Sequence, residues 1–288
     1  MGELLYAAKV AHMPSIYAGE KGVYEPMEGM HEEFRQGMRK MGKKMEDLGV
    51  ETILIVDTHW INTVNFHINA AERHKALYTS DEQPHVLHDY AYDYPGDKGL
   101  AVTIAETATA KGAITHAHEL KSLHLHYGAL VPLRYLNADG KFGVVPLGAN
   151  VNATHEENFE YGRIIAETII EFDRRVAFIA SGALSHKFWS NDKVMAHRWE
   201  VSSEFNRQVD LRVCELLERG HHREVLSMIP VYREACAGET GMADFSMLYG
   251  LLGGGGYDLP AVPFAEYCGA AGNGQVLYEF PVPVAVAS

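Results

Sequence analysis

Residues Ile53–Ile61 read ILIVDTHWI: four consecutive apolar residues, then a carboxylate, a hydroxyl, an imidazole and an indole in succession. A run of Ile and Val with no polar alternation suits a strand buried on both faces, as in a parallel sheet covered by helices. Asp57, Thr58, His59 and Trp60 then stand at the strand's exit. In an open α/β sheet ligands bind in the crevice outside the carboxyl ends of the strands, so this one stretch bears on both the fold and the place of a site.

Working outward, Phe34, Met38, Met41, Met45 and Leu48 recur at steps of four and three, an apolar helix stripe that Gly49 can stop directly before a strand at Thr52–Val56. Further on, Leu100–Lys111 reads as a helix and Phe142–Gly148 (FGVVPLG) as a strand. Thr154–Glu157 (THEE) is a capping box opening a helix that runs to about Phe172, and Val176–Ser181 (VAFIAS) is the next strand. A long helix of surface character is expected over Arg198–Glu218 with Gly220 as its stop, and Leu4–Ala11 is a further short apolar run. Strands alternating with helices predict an α/β fold, a mostly parallel or mixed central sheet covered by helices, with the active site at the carboxyl ends of the strands. No internal repeat or Pro- or Ser-rich linker divides the chain, so a single catalytic domain over residues 1–288 is expected. The glycine-rich Gly250–Pro260 (GLLGGGGYDLP) lacks the phosphate-cradling G-x-x-x-x-G-K-[ST] pattern and reads as a flexible connection.

Composition narrows the partners. The chain carries 25 basic and 38 acidic residues, a formal charge of −13, with no basic stripe. Nucleic acid and anionic membranes are thereby disfavoured and a small-molecule substrate is expected. The three cysteines, Cys214, Cys236 and Cys268, are far apart with no C-x-x-C pair, which suits reduced thiols better than a disulfide framework or a structural zinc site. The N-terminal stretch lacks the basic and apolar regions of a signal peptide, and nowhere do about 18 apolar residues run together; a cytoplasmic location without membrane insertion is the expectation.

Three apolar runs end alike: LLYAAKVAH at His12, ILIVDTH at His59 and, through a glycine turn, VAFIASGALSH at His186. Delivered to the same edge of one sheet, these imidazoles can converge. Of the sixteen histidines, His31, His67, His74, His85, His88, His155, His197, His221 and His222 have no such placement and are read as surface or structural residues. Two neutral imidazoles and a carboxylate form the facial triad of non-haem Fe(II) sites, which leaves three coordination positions open; the same set suits zinc. Asp57, Glu239, Asp244 and Glu266 are all candidates for the carboxylate. Asp57 has a second possible role, as an acceptor that holds a ligand histidine in its tautomer.

Five motifs together resemble the type III extradiol ring-cleavage dioxygenases, the family of the protocatechuate 4,5-dioxygenase catalytic subunit: AHMPS with His12, VDTHW with His59, HYGALVPL with Tyr127, SGALSH with His186 and AGETGMADF with Glu239. The resemblance covers nearly the whole chain. In length and motif order it is greatest to the members acting on 3,4-dihydroxyphenylacetate. It implies that His12, His59 and Glu239 hold Fe(II), that His186 is the acid/base residue, and that a catechol is opened beside its diol by O2, in a homo-oligomer. Many relatives carry Asp-His-Gly-Thr where this chain has His126, Tyr127, Gly128 and Ala129, so Tyr127 replaces a second histidine, as in the aminophenol-cleaving branch; a phenol of pKa about 10 is suited to donate a hydrogen bond and not to act as the main base. His124 and His126 read as alternate side chains of a short strand. Protocatechuate, another catechol or an aminophenol is the alternative substrate, and a zinc hydrolase or a metal-free binding module the alternative class. An anionic ring substituent needs a local cation, for which Arg134, Lys187 and Arg198 are candidates.

Overall fold

The computed structural model describes residues 1–20 and 29–282. The strands are Glu3–Val10 (β1), Thr52–Asn62 (β2), Phe66–Asn69 (β3), Arg73–Tyr78 (β4), Tyr90–Pro95 (β5), Thr115–His118 (β6), Gly143–Asn150 (β7), Arg175–Ser181 (β8), Val262–Ala270 (β9) and Asn273–Phe280 (β10). Eight of them form one sheet in the order β6-β3-β7-β2-β8-β1-β10-β9, while β4 and β5 pair separately. Its centre, β7-β2-β8-β1, is parallel; β3 joins β7, and β10 joins β1 and β9, in antiparallel fashion. The sheet is therefore mixed with a parallel middle.

The helices are Pro14–Ala18 (α1), Glu32–Leu48 (α2), Lys98–Ala110 (α3), Tyr127–Leu136 (α4), His155–Phe172 (α5), Glu204–Glu218 (α6), His222–Ala235 (α7) and Ala243–Leu251 (α8). The opening tetrapeptide explains the layering. Ile53 and Ile55 pack with Met38, Met41 and Met45 of α2 and Leu130 and Leu133 of α4, while Leu54 and Val56 pack on the other face with Ile104 of α3 and Ile164 and Ile165 of α5. All four side chains are fully buried, each worth about 1.5–3 kcal/mol of transfer free energy. That double burial is why the strand shows no alternation.

Several boundaries differ from expectation, for local reasons. Helix α3 begins at Lys98 because the Asp97 side chain accepts the Leu100 N–H, and β7 runs on to Asn150. The Thr154–Glu157 capping box is complete, both arms being made. Helix α6 begins only at Glu204, where the Ser203 side chain accepts the Asn206 N–H. Residues 198–202 are instead fastened to the β9–β10 turn: the Ala271 and Gly272 N–H groups donate to the Arg198 and Glu200 carbonyls, and Ser202 N–H to Gly272 O. His124 and His126 do not lie on a strand; His126 is the N-cap of α4. Nor is Gly250–Pro260 simply a loop. Gly250 lies inside α8, and a Cβ there would sit 1.9 Å from Phe159 O, as one on Gly162 of α5 would sit 2.0 Å from Met247 O. Helices α5 and α8 thus cross backbone against backbone, which only bare α-carbons allow.

Strand register sets the site. Val10 of β1, Ser181 of β8 and Asp57 of β2 are aligned Cα partners across three adjacent strands. His12 and His59 each follow two residues later, His12 just past the end of β1 and His59 in the irregular stretch of β2 between Asp57 and Ile61, which extends the strand beyond the expected Thr52–Val56; both stand at one level on either side of the β8 exit.

Candidate metal centre and substrate cavity

Nitrogens of His12 and His59 and a carboxylate oxygen of Glu239 lie within 4.8 Å of one another. His12 Nε2 is 3.2 Å and His59 Nε2 3.5 Å from Glu239 Oε1. The rest of each imidazole is accounted for. Ser181 Oγ donates to Gly128 O at 2.5 Å, so in its 3.0 Å contact with His12 Nδ1 it must accept; His12 therefore carries its proton on Nδ1 and a lone pair on Nε2. His59 Nδ1 stands 2.9 Å from Glu82 Oε1, which fixes the same tautomer. Glu239 Oε1 accepts the Thr58 hydroxyl at 2.6 Å and Oε2 accepts the Ala183 N–H. Two lone pairs and an anionic oxygen are left facing one point, the donor set a divalent cation requires, with outer partners orienting each donor. Burial alone would raise the Glu239 carboxyl; the imidazoles of His12, His186 and His59 outweigh it and hold the group well below the usual carboxylate range.

Glu239 reaches this point through a strained turn. Residues Glu239–Met242 form a short 3-10 segment in which Thr240 and Met242 have φ of 42° and 61°, and its entry is tied to the β8 exit by Glu239 N–H to Leu184 O. Of the other candidate carboxylates, Asp57 accepts the His59 backbone N–H and the Ala129 N–H in the first turn of α4, at 2.9 and 3.0 Å. It braces the strand end against a helix N-terminus. Gly128 permits this approach, since a Cβ there would lie 2.1 Å from Asp57 Oδ1. The ring of His59 is oriented by Glu82 and not by Asp57. Asp244 is buried in a 2.5 Å pair with Lys9, and Glu266 is exposed on β9.

The centre opens into a cavity of about 430 Å³ whose walls include His186, Tyr127, Phe188, Trp199 and Asn273. His186 follows the β8 exit and is bridged to Asn273. Burial, reinforced by His12 and His59 and opposed by Glu239, lowers its pKa, so the ring is neutral near pH 7. Tyr127 tilts over His59 with centroids 3.9 Å apart and donates to Glu82 Oε2 at 2.9 Å. Burial and Glu82 raise its pKa, keeping the phenol protonated. Asn273, deeply buried, has an Oδ1 without a hydrogen-bond partner among the described residues.

Glu82, Ser181, Lys9 and Asn273 belong to the site although none stands in a chemically suggestive local pattern of the sequence. His85, expected to be a surface or structural residue, lines the cavity, and the ring of His31, expected likewise, packs edge-on 5.2 Å from Trp199. His124 and His126 are not among the described residues lining it. All three cysteines are free, and burial pushes the Cys214, Cys236 and Cys268 thiols up to about 12, 11 and 12, which leaves them protonated.

Residues 6–280 match the family described as the catalytic LigB subunit of aromatic ring-opening dioxygenase. The chain belongs to this family. The LigB chain is 38% identical over 264 residues to the 3,4-dihydroxyphenylacetate 2,3-dioxygenase of Escherichia coli, covering 90% of this chain and 93% of that protein. It is 22% identical over 265 residues to the 2-aminophenol 1,6-dioxygenase beta subunit of a Pseudomonas species, covering 87% and 86%. A crystal structure of an uncharacterized protein from Escherichia coli K12 shares the fold, with a TM-score of 0.67 at 16% identity over 96% of this chain and 99% of that one. The family expected from the five motifs is thus the family found. The LigB match spans the whole His-His-Glu site and every cavity residue named above. No helix among the described residues is long and apolar enough to cross a membrane.

Proposed function

We propose that this chain is an Fe(II)-dependent extradiol dioxygenase, acting as one catalytic domain, that opens the ring of 3,4-dihydroxyphenylacetate beside its diol and incorporates both atoms of O2 to give a muconic semialdehyde. The observation that carries the reading is the convergence of the His12 and His59 Nε2 lone pairs with Glu239 on the floor of a cavity that also presents His186. A ferrous ion held by these three would supply the redox chemistry that lets O2 react with a bound catechol.

Around that ion the protein's own groups have separate tasks. His186, neutral near pH 7, accepts a proton from a catechol hydroxyl as substrate binds and returns one later to the opening ring. Tyr127 remains a hydrogen-bond donor; its proton is engaged by Glu82, so donation toward a substrate oxygen exchanges that bond for another. The unpartnered Asn273 Oδ1 is an acceptor for a substrate hydroxyl. Met13 and Val86, both buried, line the walls and keep water from the reacting ring.

The test is metal analysis of protein purified without air, combined with O2 uptake on 3,4-dihydroxyphenylacetate, protocatechuate, catechol and 2-aminophenol. About one iron per chain, uptake fastest with 3,4-dihydroxyphenylacetate and a yellow ring-opened product are expected. Zinc in place of iron with no O2 uptake would move the chain to hydrolytic chemistry; fastest uptake with 2-aminophenol would keep the reaction and change the substrate. A homo-oligomer is part of this reading and is checked by light scattering.

A further inference from the structure

A protein of net charge −13 repels an anionic substrate over most of its surface, so selection of an acid requires a cation at the cavity itself. Three were candidates, and the tertiary structure separates them. Arg134 is paired with Glu20, its Nη2 2.5 Å from the carboxylate, and borders a different cavity beside Tyr90 and Tyr94. Lys187 is exposed and is not part of the cavity wall. Arg198 is the one Lys or Arg among the described residues lining the cavity that holds the metal centre.

Its side chain is held but not satisfied. The guanidinium lies 5.5 Å from the Trp199 ring centroid, a cation–π contact, and Nη1 donates to Met195 O at 2.7 Å. Among the described residues neither Nε nor Nη2 has a hydrogen-bond partner or an ion-pair carboxylate, and that edge of the fork is the one that takes a carboxylate in bidentate fashion. The backbone is equally determined. Ala271 N–H donates to Arg198 O at 2.6 Å, and two residues on, at the start of β10, Asn273 bridges His186. The same short segment therefore fastens the backbone of both His186 and Arg198.

We propose that Arg198 is the specificity-determining residue of this cavity, binding the carboxylate of the ring substituent through Nε and Nη2 while the diol faces His12, His59 and Glu239. The proposal rests on the extradiol reading for the identity of the ring. Val194, Met195 and Trp199 supply apolar lining to the same cavity. Without the arginine, such a lining would favour a neutral catechol.

The experiment compares wild type with Arg198→Met, which keeps volume and removes charge, and Arg198→Lys. Iron content and circular dichroism report whether each variant is folded and loaded. The substrates are 3,4-dihydroxyphenylacetate and its neutral amide, equal in ring and length. In Arg198→Met the acid should lose about 10²-fold in kcat/KM, mainly through KM, while the amide changes less than about threefold; Arg198→Lys should recover part of the loss. A second readout needs no turnover: anaerobic binding of 4-hydroxyphenylacetate, followed by tryptophan fluorescence, should weaken in Arg198→Met while binding of 4-methylphenol does not. Equal losses on acid and amide, or none on the acid, overturn the proposal while leaving ring opening intact. A wild type that opens no catechol, yet binds the acid through Arg198, sinks the extradiol reading and leaves the anchor standing.

Discussion

Glu82 Oε1 lies 2.9 Å from His59 Nδ1, and the same carboxylate reaches Tyr127 with its other oxygen, so one half-exposed side chain sets the tautomer of an inner-site histidine and the position of the phenol beside it. Hydrogen bonding from His59, with help from Tyr127, lowers the Glu82 pKa, so the carboxylate stays ionised. Glu82→Ala should weaken metal affinity about 10- to 100-fold, the usual size of losing an outer partner of a ligating histidine. Competition with a chromophoric chelator measures it. Glu82→Gln, which keeps an acceptor, should lie between; affinities equal to wild type in both variants would remove the clamp from the argument.

His59→Ala deletes one of three donors and should abolish tight metal binding and activity together. Because the donors come from three distant parts of the chain, metal should raise the melting temperature of wild type and not of the variant. His12→Ala and Glu239→Ala should behave alike. A loaded, active His59→Ala protein would dismiss the three-residue site.

His186→Gln should keep near-full metal but lose about 10²–10⁴-fold in turnover, the ordinary contribution of a general acid/base group. The sign of its pH effect follows from its lowered pKa: the neutral base is present at pH 7 and is lost as pH falls through a value below about 6.5. Wild-type activity should therefore decline on that acidic limb and the variant should lack it. Metal lost in step with activity would make His186 a ligand instead.

Lys9 and Asp244 are fully buried and paired beneath the site, with Lys9 also donating to Gly182 O at 2.6 Å. Lys9→Met leaves Asp244 buried beside Glu239 without its cation and should cost about 3–5 kcal/mol in urea unfolding. The double variant Lys9→Met/Asp244→Asn should recover much of this. A single variant as stable as wild type would mean that Asp244 sheds its charge by taking up a proton, or that water reaches it.

His74, bonded to Val144 O, and His222, between Tyr249 and Leu259, are buried, and burial lowers both pKa values. The unfolded chain takes up their protons below about pH 6.5 while the folded chain does not, so their stability contribution is complete above that pH and falls below it. The limiting slope is about 1.4 kcal/mol per pH unit for each proton. Urea midpoints at pH 7.5, 6.5 and 5.5 should decline accordingly, with a shallower decline in His222→Gln; an identical decline would assign the acid sensitivity elsewhere.

The layered α/β architecture was legible because it rests on local period. Ile53–Val56 is apolar throughout since both of its faces are buried, and the Met38, Met41 and Met45 stripe repeats at helix spacing since one face of α2 is buried. His12 and His59 could be singled out because each closes an apolar run that reads as a buried strand. The choice among Asp57, Glu239, Asp244 and Glu266 was not legible from spacing alone. It depends on what lies opposite each carboxylate: the α4 N-terminus, 72 residues away in sequence, for Asp57, and Lys9, 235 residues away, for Asp244. Likewise nothing near Glu82 or Arg198 in sequence announces His59 or the cavity wall. Those roles come from strand register and from the anchoring of residues 198–202 to the β9–β10 turn, contacts between segments far apart in sequence, whereas the helix and strand periods are written within a single turn or pleat.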